Sequence, residues 1–484
     1  MAKLTDIPKV FMNGIAHSTI SLIGAMVVTV VFPFLLGAAL YDTFLHIENP
    51  YVSGFIYMIL GPTFIGGLVL IFVGLFFAKG EEDVRIFTLE YLRTKLEDES
   101  GFDRIRKLVF LGVFLTCINL FVVGILLYSG YHYMESNAFC GEVCHVPMTP
   151  EYTAYQNSSH SRVHCVECHI GSGASWFVKS KISGARQLFA VVGDTFSRPI
   201  ETPVHGLRPA RDTCEQCHRP EKFHGDKLLV KDKYLEDEEN THVQTVLLLK
   251  IGSAGDRAAG SHGIHWHVAP ENEITYTATD WQRNEIVEVS QRSANGATLQ
   301  YKTADAADAI AQATHQQERT MDCMDCHNRP SHVYLPPDVA IDNKILEKQI
   351  SVELPYIKQQ AMQVIQGEYQ TQREATSAIA SGLTNYYEQN YPQIFAQKRN
   401  LIEQAITAVQ AAYTENVFPE MNVQWNTYFT NIGHANEGGC FRCHDEEHET
   451  AEGKTISMDC DTCHTILAEE ERNPEILKNL LGGN

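Results

Sequence analysis

Residues 323–332 read Cys323-Met324-Asp325-Cys326-His327-Asn328-Arg329-Pro330-Ser331-His332. A cysteine pair is followed at once by a histidine, and a second histidine stands shortly after. The first half of this pattern recurs at Cys165–His169, Cys214–His218, Cys440–His444 and Cys460–His464. Cys140-Gly141-Glu142-Val143-Cys144-His145 repeats it with one more residue between the cysteines. A zinc or dithiol site uses such a pair but has no use for a histidine directly after it. Covalent haem attachment needs both elements. Two thiols add to the vinyl groups of one haem, and the next residue is then set under the iron. Six c-type haems are therefore expected, on Cys140/Cys144, Cys165/Cys168, Cys214/Cys217, Cys323/Cys326, Cys440/Cys443 and Cys460/Cys463, with His145, His169, His218, His327, His444 and His464 as iron ligands. Of the 13 cysteines only Cys117 is left over, and inside an apolar run it reads as a small buried residue.

Upstream of the motifs the chain turns apolar. Ile20–Leu40, Phe55–Ala78 and Leu108–Tyr128 are runs of roughly 20 residues, the length that crosses a bilayer core as a helix. Lys79, Arg85, Arg93, Lys95, Arg104, Arg106 and Lys107 crowd one loop, whereas 41–54 and 129–161 hold no Lys or Arg. Positive charge stays on the cytoplasmic side. The N-terminus and the basic loop are expected inside, and everything after the third span in the periplasm, where haem is attached. The lipid bilayer is thus one partner.

A length of 484 residues exceeds one module, and a net charge of −21 argues against a nucleic-acid partner. Between about 241 and 302, alternating apolar residues and glycines predict a small antiparallel β insertion. From Ile341 to about Thr414 the pattern is helical and free of cysteine and histidine, with breaks at Pro355 and Pro392. The acidic tail beyond His464 reads as solvent-exposed. The expected fold is a mainly α membrane protein: a three-span anchor (1–133), a haem region with its β insertion (134–336), and a helical segment leading to a C-terminal dihaem module (337–484).

A six-coordinate iron takes a second axial ligand, and histidines are plentiful. His434 and His448 flank the fifth motif, and one is expected on each of the last two irons, in either order. His262, His265 and His267 crowd one segment, so at most one or two of them can be ligands, with His265 the foremost candidate. His242 lies in a strand-like stretch and stays apart.

Phe139–His145, Pro150-Glu151-Tyr152, Ser159-His160, Cys165–His169, Trp176–Lys181 and Thr320–His332 together resemble the NapC/NirT family of membrane-anchored quinol dehydrogenases. The longer chain, with more spans and motifs, looks most like the inner-membrane multihaem cytochromes of metal-respiring bacteria. The resemblance implies that His160 pairs with His327 and His332 with His169. His315 would serve the third haem with His218, with His224 and His205 as rivals. At the first haem the iron would be bound by His145, by Met148 or by both, since Met148 stands three past the histidine where the family has it two past, and Lys179 or Lys181 would take the place of the quinol-site lysine. The family's carboxylate is missing at its usual place, where Arg186-Gln187-Leu188 stands, and the next acid is Asp194. The function implied is menaquinol or ubiquinol oxidation at the outer membrane face, with electrons passed to periplasmic cytochromes or a reductase in anaerobic or extracellular respiration. The rival readings are a haem subunit fed by a partner protein and a terminal nitrite-type reductase with an open iron.

Overall fold

The computed structural model describes residues 12, 15–45, 50–77, 99–143, 145–171, 173–204, 208–219, 222, 225–252, 263–269, 271–293, 296–434 and 438–480. Cys144, His205, His224, His262 and most of the basic loop (78–98) lie outside these residues, as does the side chain of His145. The chain divides into two units, 1–144 with 184–195 and 145–183 with 196–484.

The first unit contains helices α1 (Thr19–Leu45) and α2 (Pro50–Phe77), both long and apolar enough to cross a membrane. Small residues let them approach closely. A Cβ on Gly24 would lie 2.6 Å from the Gly67 carbonyl oxygen, and one on Gly67 would lie 2.9 Å from a Val28 methyl. In lipid, where apolar burial gives no drive, such close packing and buried hydrogen bonds hold helices together. Ser21 Oγ supplies one, donating to the Ile71 carbonyl at 3.0 Å. The third apolar run falls within α3 (Glu99–Met134), a 36-residue helix. Its described apolar stretch, Val113–Val122, is shorter than a span.

In the second unit, α4 (His145–Gln156) and α5 (Ala174–Val192, which continues into the first unit) flank the second motif. Two sheets follow. The four-stranded one has order β5-β4-β3-β6, built from β3 (Asn272–Ala278), β4 (Ile286–Ser293), β5 (Thr298–Lys302) and β6 (Gln317–Thr320). The three-stranded one has order β1-β2-β7, from β1 (Lys227–Tyr234), β2 (His242–Leu249) and β7 (His464–Glu471). All pairings are antiparallel. The β region is therefore wider than the sequence pattern indicates. The acidic tail is no free end: β7 pairs with β2, burying Ala468 while Glu469, Glu470 and Glu471 stay exposed.

Helices α6 (Pro337–Leu346), α7 (Ile357–Ile365), α8 (Gln372–Asn390) and α9 (Arg399–Thr414) enclose their own core. On α8, Ala375, Ile379, Leu383 and Tyr387 recur every fourth residue and are all fully buried, the stripe that a helix period puts on one face. Thr371 caps this helix by accepting from the Glu374 amide at 3.1 Å, while the Glu374 carboxylate accepts from the Gln370 amide at 2.9 Å. Lys358 and Asp342 form a buried ion pair at 2.6 Å inside the group.

Candidate haem-iron centres

Each motif sits on little more than one turn of helix, so its fixing comes from neighbours. The fourth shows how. Asp322 caps the turn Cys323–Cys326 by accepting from the Met324 amide at 2.8 Å, and Asp325 accepts from the Asp322 amide at 2.7 Å. The Asp325 carboxylate, buried within the motif, also receives Tyr276 Oη (2.6 Å), Arg319 Nε (2.9 Å) and Arg283 Nη1 (3.1 Å). Its backbone carbonyl accepts from Arg442 Nη2, at 2.6 Å, inside the fifth motif. These charge-assisted bonds tie sheet, fourth motif and fifth motif together. In the first motif the added residue falls in a π turn, Phe139–Val143, a wide winding common at functional sites.

Among the described residues, the cysteines of successive motifs from the second to the sixth are neighbours. The Cys214 and Cys323 thiols hydrogen-bond each other. Burial and then the charges of Cys165, Glu167 and Cys217 raise the Cys168 thiol. Burial, followed by the charge of Cys440, pushes the Cys326 thiol up to about 12. Burial and Cys440 likewise raise Cys463. From the second motif to the sixth, the cysteine pairs thus adjoin in sequence order.

Two imidazoles bonded through one nitrogen each, at roughly 2 Å, to a shared metal have ring centres about 6 Å apart. Among the described residues, four pairs of histidines meet that condition: His160–His218 at 6.0 Å, His169–His332 at 6.2 Å, His267–His444 at 5.8 Å and His434–His464 at 6.0 Å. Each pair joins one motif histidine to one that is not in a motif. In three pairs a ring Nδ1 donates to a backbone carbonyl: His160 to Pro330 (3.1 Å), His332 to Glu151 (2.9 Å) and His267 to Ile264 (2.8 Å). His444 Nδ1 donates to the Ser457 carbonyl at 2.7 Å. This outer hydrogen bond fixes the tautomer and leaves Nε2 to the metal. Burial first, and then the charge of a neighbouring histidine, lowers the basicity of His169, His327 and His464. A neutral ring is the ligating form. Spacing, tautomer and charge all fit haem iron.

The pairing departs in part from the resemblance. His332 does face His169. His160 stands opposite His218 rather than His327, because its Nδ1 is held by Pro330, beyond the fourth motif. His315 is exposed and packs edge-on against Trp281 at 6.0 Å, away from His218. His448 is corrected too. It is fully buried, with Nδ1 held by the nearby Asp445 carboxylate (2.9 Å) and Nε2 donating to the Ile286 carbonyl (3.0 Å), so both nitrogens are engaged and Nε2 ties the C-terminal region to β4. The Asp445–His448 spacing is the sequence signal for that structural role. His265 lies near His327 and lowers its basicity, and its own Nδ1 donates to the Ile251 carbonyl at 3.2 Å. Met148 is half-buried on α4. On α5, Lys179 is exposed with its ammonium 4.5 Å from the Trp176 ring centre, and Lys181 is half-buried.

Residues 104–210 match the NapC/NirT cytochrome c family, N-terminal region. Over 462 residues, covering 95% of this chain and 90% of the relative, the sequence is 37% identical to cytochrome c-type protein ImcH of Geobacter sulfurreducens. The chain belongs to the NapC/NirT cytochrome c family. This cytochrome is also 30% identical over 109 residues to cytochrome c-type protein NrfH of Wolinella succinogenes, covering 22% of the chain and 61% of the relative. No solved structure gives a significant match. Membership makes the protein a c-type cytochrome with covalently bound haem and an electron-transfer role.

Proposed function

We propose that the protein oxidises menaquinol or ubiquinol at the outer face of the bacterial inner membrane and supplies electrons to periplasmic cytochromes or reductases. The observation that carries this reading is the row of adjoining cysteine motifs with histidine pairs set about 6 Å apart. The reading includes six haems, three membrane spans with the N-terminus in the cytoplasm, and a periplasmic motif region. Haem held by these residues supplies one-electron transfer.

The chain's own residues do the rest. Cysteine pairs would hold each group, and the four histidine pairs would each supply two ligands to an iron, which disfavours a terminal reductase. His145 and Met148 would stand at the first group. Near the second, the helix Ala174–Val192 carries Trp176, Lys179 and Lys181. An ammonium there donates a hydrogen bond to the quinol oxygen and stabilises negative charge as the proton leaves. Trp176 holds the Lys179 ammonium over its ring. Proton release on the outer side makes the step non-electrogenic, since no charge crosses the membrane potential.

The test is the double variant Lys179→Ala/Lys181→Ala, with reduction by a soluble menaquinol analogue as readout. Removal of a preorganised donor costs about a hundredfold in rate, with reduction by dithionite unchanged. Intact quinol oxidation in this variant would remove the lysines from the site. One observation favours a second reading, a haem subunit fed by a partner. Two apolar helices, α1 and α2, pack on each other at Gly24 and Gly67 where a single span would suffice as an anchor. Reduction by quinol without any partner decides against it.

A further inference from the structure

Helix α5 (Ala174–Val192) carries a second pattern besides its lysines. Val178, Ile182, Ala185, Phe189 and Val192 follow one another at intervals of four, three, four and three residues. All five are exposed, the four larger side chains by 44% to 68%. At 3.6 residues per turn they fall within an arc of about 80°. We propose that this stripe seats α5 in the outer surface of the membrane, lying in its plane against anionic phospholipid. This docking rests on the reading of the motif region as periplasmic, and it adds a lipid contact to the helix that bears Lys179 and Lys181.

An apolar stripe at helix spacing normally faces a protein core. On α5 the packed side is the opposite one. Trp176, Leu188 and Val191 are half-buried, and they stand roughly 160–280° round the helix from Val178. The stripe is what that packing leaves uncovered, and a continuous exposed apolar row marks a contact with lipid or protein.

Charge selects lipid. The helix holds three cations, Lys179, Lys181 and Arg186, and no acid, in a chain of net charge −21. Lys179 and Arg186 stand about 80–100° to one side of Val178, and Lys181 about 60° to the other. Cations along both borders of an apolar face suit a helix lying among headgroups: the stems stay in the apolar zone while the charged ends reach phosphates. The same three cations make a transmembrane course costly. Continuity with the membrane helices points the same way. From Gly184 to Thr195 the chain belongs to the unit that contains α1 and α2, both long and apolar enough to cross a bilayer. Seated at this depth, α5 would offer its lysines to a quinol ring that never leaves the lipid.

The experiment uses the full-length holoprotein in liposomes of phosphatidylcholine with a minority of phosphatidylglycerol. A diazirine near the headgroup end of the acyl chain is carried by one lipid or by the other. After irradiation, adducts are mapped by peptide mass spectrometry. Label is expected on the peptide containing Ile182 and Phe189, several-fold more from phosphatidylglycerol, and on α1 and α2 with either lipid. Arg186→Gln should cut the phosphatidylglycerol adduct on α5 about fivefold. Ile182→Asp/Phe189→Asp should abolish it, with haem mass and α1–α2 labelling unchanged as the check on folding. The unaltered protein decides even where a variant does not accumulate. An unlabelled α5 beside labelled α1 and α2 would overturn the docking, as would cross-links from this face to a second copy of the chain. Equal label from both lipids would overturn the choice of anionic lipid. Adducts on α5 together with intact quinol oxidation in Lys179→Ala/Lys181→Ala would leave the docking standing and remove the quinol site.

Discussion

Residues 337–418 and the motif-bearing stretches around them are built on opposite principles. The helical region owns its core: Ile341, Ile357, Ile365, Ile379, Leu383 and Val409 are fully buried against one another. Each such side chain contributes about 1.5–3 kcal/mol through removal from water. The motif stretches bury little apolar surface of their own. The helical turns Cys165–His169 and Cys460–Thr462 contain no buried residue, and their order comes from hydrogen bonds, ion pairs and facing histidines. One region is a self-sufficient protein core, whereas the other is a frame whose interior is completed by its cofactors.

The largest expected effect separates the two. Cys323→Ala/Cys326→Ala removes the attachment of one haem beside the Asp325 network. Accumulation of the mature protein should fall sharply, and the residual material should carry one haem fewer by mass spectrometry. Normal accumulation with one haem missing would show that the frame holds without its filling. Next, Leu383→Ala empties a closed apolar site and should cost about 3 kcal/mol. Thermal unfolding reports this, with haem mass and visible spectrum unchanged. Spectral loss in parallel would mean the helical region also shapes the haem sites.

A smaller effect belongs to Glu151. Its carboxylate binds Arg329 at 3.0 Å and reaches His332 Nδ1 at 3.1 Å. The side chain therefore orients the ring that faces His169. Glu151→Gln leaves the Arg329 charge uncompensated, at a cost of about 2 kcal/mol. It also weakens electron donation from His332. A tenfold differential effect of such outer partners corresponds to a rise of roughly 60 mV in one midpoint potential. A spectroelectrochemical titration with all potentials unmoved would reduce Glu151 to a structural anchor. The smallest change is Phe441→Leu. Phe441 stacks on the His434 ring at 4.4 Å, and its loss should cost about 1 kcal/mol without a change of spin state.

The same contrast explains what could be read in advance. The cysteine pairs and their adjoining histidines were legible as motifs because that pattern is local in sequence. The helical segment was legible because Ala375, Ile379, Leu383 and Tyr387 repeat with a helix period. Which histidine faces which motif is a tertiary property. His160 is positioned by Pro330, and His332 by Glu151, across most of the haem region. The alternation in β7 was hidden by its acidic residues, and its partner β2 lies more than 200 residues earlier. His267 carried one signal that sequence could have used, a second histidine two places after His265 in a segment bounded by Gly263.

The most direct measurement mixes the purified, oxidised protein with a soluble menaquinol analogue and follows haem absorption by stopped flow. Fast reduction of several haems is expected without any partner protein, slowed about a hundredfold by Lys179→Ala/Lys181→Ala. No reduction by the quinol, with full reduction by dithionite, would contradict quinol oxidation and leave a cytochrome that takes its electrons from another protein.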